Sequence, residues 1–102
     1  MAKEQRRSYA GPVEIWVDGI KRFDVEVRLA AYVEIIETTT PSGIERSEGA
    51  MSWNGQLEGL SHHNQLELIG PTLELKFPDE QSGEARMPDR SGVIIGRGKP
   101  PF

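Results

Sequence analysis

The feature that most constrains this chain is an alternation of apolar and polar side chains that runs from Val13 to Ile35. Val13, Ile15 and Val17 share one phase; Glu14, Trp16 and Asp18 share the other. After Asp18-Gly19 the pattern resumes with Phe23, Val25, Val27 and Leu29, then Ala31, Val33 and Ile35. Asp24, Glu26 and Arg28 take the polar phase. Successive strand side chains point to opposite faces, so a period of two over β-branched residues predicts half-buried strands. Asp-Gly between two such runs predicts a two-residue hairpin, because both central residues of a type I′ turn need positive φ. The second run predicts one long strand or two joined by a bend, and a strand of that length usually coils or carries a bulge.

Residues 38–49, TTTPSGIERSEG, are polar and contain Pro41, Gly43 and Gly49. They predict a loop, long for a small domain and therefore mobile or functional. A strand follows from Ala50 to Leu57. Ser61 is placed to cap a short helix through Leu66. Leu73, Leu75 and Phe77 alternate with Thr72, Glu74 and Lys76, and short strands are expected at 84–87 and from Val93 to Gly98. Pro100-Pro101 cannot extend a ladder, having no N–H to donate. Six strands, close turns and little helix predict an all-β fold: a small six-stranded antiparallel barrel, closed or nearly closed, with at most one short helix. Its single domain spans 9–102, behind a polar, disordered tail at 1–8. Eleven glycines and seven prolines among 102 residues suit a chain that turns often.

The same size excludes a barrel enzyme of roughly 250 residues. The absence of cysteine removes disulfide scaffolds and thiolate metal sites. A net charge of −4, with the tightest basic group only Lys3, Arg6 and Arg7, argues against nucleic acid as a partner. The longest apolar run, Leu29 to Val33, has five residues, against about 20 for a membrane span. The first residues lack the apolar stretch of a signal peptide. A cytoplasmic location is the expectation.

Candidate chemistry is sparse. Adjacent His62 and His63 diverge on either a strand or a helix, so no metal site is expected from them. The strand carboxylates Glu14, Asp24, Glu26 and Glu74 are explained by cross-strand pairing with Arg28, Lys76 and Arg86. Gly96-Arg97-Gly98-Lys99 lacks the helix of a phosphate loop, because Pro100-Pro101 follows. No catalytic residue and no cofactor is expected. Trp16, in a polar phase, is a candidate interface anchor. Phe102, behind two prolines that pre-extend it, is a second, with Pro100 and Pro101. Its intramolecular alternative is a lid over a barrel end. Trp53, Asn54, His62 and His63 are the candidate ligand-binding residues.

Several segments together carry a likeness: Tyr9-Ala10-Gly11-Pro12, Val25-Glu26-Val27-Arg28-Leu29, Trp53-Asn54-Gly55-Gln56-Leu57 and the ending Gly96-Arg97-Gly98-Lys99-Pro100-Pro101-Phe102. In these the chain resembles the actinobacterial family known as domain of unknown function 4873. Its members occur alone or fused to flavin-dependent monooxygenases. The chain departs from that pattern at Gln56, where relatives often have arginine, and at Ala30-Ala31-Tyr32, where they tend to have glycine and an aromatic. The resemblance implies a small β domain with no established activity, and a short isolated version would also suit a phage protein. The expectation is a non-catalytic module that binds a protein partner or forms a homodimer, with Trp16, the 38–49 loop and the C-terminal Pro100-Pro101-Phe102 as its contacts. Its alternative is a small-molecule-binding accessory domain related to those attached to oxidoreductases. An enzyme using His62 or His63 as base is the least favoured reading.

Overall fold

Asp18 and Gly19 adopt φ of 52° and 76°, the left-handed pair that the Asp-Gly signal requires. They join β1 (Ala2–Val17) to β2 (Ile20–Thr40) in a computed structural model that describes residues 2–102. β3 (Gly43–Glu58), α1 (His62–Leu66), β4 (Leu73–Lys76), β5 (Ser82–Arg86) and β6 (Val93–Arg97) follow. The six strands close into a barrel in the order β1-β2-β3-β6-β5-β4, antiparallel throughout. The expected all-β class, strand count, closure and single short helix are all present.

The odd phase of β2 faces inward. Val25, Val27, Leu29, Ala31, Val33 and Ile35 are buried; Ile15, Leu73, Leu75 and Ile94 fill the barrel from other strands, with Met87 just past the end of β5. Register shifts relieve the long strand. The ladder skips Arg6 in β1, Arg22 in β2, and one residue near Gly49-Ala50 in β3. Such bulges add local twist, which lets long strands coil around a narrow barrel. Ser61 caps α1, its Oγ accepting from the Asn64 N–H at 3.2 Å.

Two expectations are corrected. Residues 2–8 are not a disordered tail: they form the first half of β1 and pair with β2 from Ala2↔Ile35 to Ser8↔Ala30. Met1 lies outside the described residues. Nor is 38–49 a long loop. β2 and β3 continue as a ladder to Thr40↔Gly43, leaving only Pro41-Ser42 as the turn. The cause is the same in both places. A ladder is made by the backbone, and side chains that are polar on both faces leave it free to form wherever a neighbouring strand offers an edge. Three consecutive threonines add β-branched propensity.

The barrel closes through short seams. β1 meets β4 only over Glu14–Trp16, and β3 meets β6 only over Asn54–Gln56. The rest of β1, β2 and β3 therefore extends past the barrel as a three-stranded arm ending in the β2–β3 hairpin. The molecule measures 56 × 28 × 22 Å, and its radius of gyration is 16.1 Å, against about 13 Å for a compact domain of this length.

Candidate functional site

The segments that stood out along the sequence meet at one end of the barrel. Trp53, on β3, is 1% exposed. Its indole lies on Gly96 of β6 so closely that a β-carbon there would sit 2.0 Å from Cδ2 and Cε2. Gly83 of β5 brings the backbone close on another side, against Pro101 and Trp53 Cζ2. Phe102 packs edge-on to Trp53, with ring centroids 5.9 Å apart at 88°, and lies 6.0 Å from Phe77. Tyr9 meets Phe77 edge-on at 4.9 Å and donates a 2.7 Å hydrogen bond to the Pro12 carbonyl. Arg7 Nη1 holds the Phe102 main-chain oxygen at 3.1 Å.

Proline-proline-phenylalanine is thus a lid, not a projecting anchor. Pro101 is buried and Phe102 half-buried. The chain adopts the intramolecular alternative for Pro100, Pro101 and Phe102, a cover over the barrel end. Prolines restrict the unfolded chain, so seating the ring costs little entropy. Replacing Phe102 by alanine is expected to cost about 2 kcal/mol, less than a fully buried phenylalanine, and to shift Trp53 fluorescence to the red. An unchanged spectrum would show that the lid is not seated over the indole.

Burial raises the Tyr9 hydroxyl above its ordinary value, and the charges of Glu26 and Asp79 add to the rise. The folded state therefore favours the neutral phenol. Its stabilising contribution is complete below the unfolded tyrosine value of about 10 and disappears as pH climbs through the folded value. Stability is expected to fall above about pH 10, and Tyr9→Phe should remove that part of the decline. Denaturant midpoints measured across this range for both chains provide the check. Parallel curves for the two would remove Tyr9 from the account.

The remaining candidates do not assemble. Trp53 and Asn54 are neighbours on β3, so one points into the core and the other out. His62 and His63 sit exposed on α1. The four proposed ligand-binding residues therefore line no common pocket, and the space beside Trp53 is filled by Gly83, Gly96, Pro101 and Phe102. A surface depression of 660 Å³ lies elsewhere, lined among others by Glu14, Asp24, Glu74, Lys76 and Glu80. Among the described residues, no three His, Asp or Glu side chains are grouped to hold a metal ion.

Trp16 is half-buried on the outside of β1, and its polar neighbours occupy it. Lys76 Nζ stands 3.7 Å from the ring centroid, a cation–π contact, and the indole N–H donates to Glu14 Oε1 at 2.9 Å. One ring face and the N–H are thus already engaged within the chain. The expected charge lattice is partly present: Lys21 bridges Glu14 and Asp24, Arg28 meets Glu58, and Lys76 approaches Glu74.

The sequence marks 38–49 as a contact but reads it as a loop; the paired arm it belongs to is seen only in the structure. Outside the two seams, Ala2–Val13 of β1 and Gly43–Trp53 of β3 pair with β2 on one side only. Two ion pairs tie the arm together. Arg6 reaches across to Glu48, and Arg46 Nε lies 3.5 Å from Glu37 Oε1. Ile44, beside the tip, is 68% exposed. The usable signal was the run of threonines followed by Ile44 and alternating charge, which reads as a solvated ribbon once polarity is not equated with a loop.

No family model, curated protein or solved structure matches the chain. Tyr9, Trp53, Gly96, Pro101 and Phe102, all in segments singled out along the sequence, share the packing around the capped barrel end. No helix among the described residues is long and apolar enough to cross a membrane.

Proposed function

We propose that this chain is a non-catalytic protein-interaction module that works by self-association, with the arm as its contact element. One observation carries the reading: a three-stranded arm projects from a barrel that is itself filled, and both arm edges leave backbone donors and acceptors unpaired. An exposed edge is a template for another strand, and strand addition is a recurring mode of recognition. The ligand-binding alternative needs room beside Trp53, where the lid and two glycines are packed. The accessory-domain version of that alternative rests only on the family likeness.

Light scattering during size exclusion tests the proposal, using the full chain and a variant in which 37–46 is replaced by Asn-Gly. The full chain is expected to show a concentration-dependent rise in mass. The shortened arm should lose it while keeping its thermal midpoint within a few degrees, since the hairpin tip makes no contact with the main core cluster. A full chain that stays monomeric at every concentration would refute self-association.

A further inference from the structure

We infer that the contact is made by the outer edge of β3, which pairs antiparallel with the same edge of a second copy about a two-fold axis through Ser47. The inference rests on the self-association reading and adds its surface and register.

The backbone directions follow from the hairpin. In a two-residue turn the flanking pair, here Thr40↔Gly43, exchanges both backbone hydrogen bonds, and such pairs alternate along the ladder. Gly43, Glu45 and Ser47 therefore direct their N–H and C=O groups at β2. Ile44, Arg46 and Glu48 turn theirs outward, where β3 has no neighbour until Asn54. A second strand joins by matching outward residues with outward residues.

Charge selects among the possible registers. An axis through Arg46 would set arginine on arginine, one through Glu48 glutamate on glutamate, and one through Glu45 would face Glu45 with itself. An axis through Ser47 places Arg46 opposite Glu48 of the second copy, twice by symmetry. It also brings Glu45 to Gly49, and Ile44 beside Ala50. Opposite charges facing across a ladder stabilise it, and like charges destabilise it. A two-fold contact also closes on itself, whereas a β1-to-β3 contact would leave an edge free at each end and propagate. The β1 edge is poorly suited to joining its own copy. It carries Lys3, Arg6 and Arg7 against Glu4, a bulge at Arg6, and Pro12. Lysine, bulges and proline are the features that blunt an exposed edge.

Charge reversal tests the register. The wild-type mass is expected to rise with concentration from 11.4 kDa toward twice that value. Arg46→Glu and Glu48→Arg should each abolish the rise, because each sets like charges opposite one another. An equimolar mixture of the two variants should restore it, since position 46 of each chain then faces a position 48 of opposite charge across the axis. The intramolecular pairs with Glu37 and Arg6 stay broken in the mixture, so recovery on mixing cannot come from repairing the arm. Far-UV circular dichroism establishes that each variant is folded. If the wild type dimerises and either reversal leaves the dimer intact, or mixing fails to restore it, the register is wrong and self-association survives. A monomeric wild type defeats both readings, and a mass that grows past two copies points to β1-to-β3 propagation and overturns the closed pair.

Discussion

Gly96→Ala is expected to destabilise the protein by about 3 kcal/mol or more, at the upper end of what overpacking costs. The added β-carbon would lie 2.0 Å from Cδ2 and Cε2 and 2.4 Å from Nε1 of Trp53. The indole cannot retreat easily, because Phe102 and Pro101 close the barrel end beyond it. Gly55→Ala should be comparably severe for a different reason. Its β-carbon would meet the backbone oxygen of Arg28 at 2.0 Å and the Leu29 side chain at 2.7 Å, and a ladder carbonyl can move only by breaking the β2–β3 register. Gly59 is the matched control. It has φ of 77° with open space around it, so Gly59→Ala should cost only the left-handed backbone strain, about 1–2 kcal/mol. Urea titrations followed by circular dichroism give all three values. A Gly96→Ala chain within 1 kcal/mol of Gly59→Ala (roughly the scatter among such effects) would show that the indole and β6 are not in contact.

Trp53→Ala is the second large effect, at about 3–5 kcal/mol for deleting a fully buried aromatic side chain. The loss would spread, since the indole touches Gly83, Gly96 and Phe102 from three separate segments. Trp53→Phe should be much milder than volume alone suggests. The buried Nε1 has no hydrogen-bond partner, and an unsatisfied buried donor carries a penalty of about 1–3 kcal/mol that phenylalanine would not bear. The fluorescence left in either variant belongs to Trp16, half-exposed on the outer face, and should be the redder of the two. Equal destabilisation by alanine and phenylalanine would mean that the Nε1–H stabilises the fold, against its reading as an unsatisfied donor.

Much of the barrel was legible beforehand because its signal is local. The odd phase of β2, the Asp18-Gly19 turn, the Ser61 cap and the inward Leu73, Leu75 and Phe77 are each determined within a few residues. The arm was not legible in the same way. Lys3 through Ser8 and Thr38 through Gly49 have no apolar phase to report a burial direction, so only their composition spoke, and composition suggested disorder. The site was less legible still. Trp53 and Phe102 are 49 positions apart in the chain, and neither spacing nor periodicity relates them.

The sequence by itself determined the class of fold, the strand count, the inward face of each main strand and the absence of thiol chemistry. These depend on side-chain alternation, turn residues and inventory, all of which are properties of short stretches. Only the tertiary structure decided that Phe102 turns inward, that Trp16 is occupied by Lys76 and Glu14, and that β1, β2 and β3 outrun the short strands that close the barrel. The reason is that strand pairing is a contest among distant backbone edges. β4, β5 and β6, at four or five residues each, cannot cover strands of 16 and 21 residues. The uncovered length is what leaves this protein with an edge to offer.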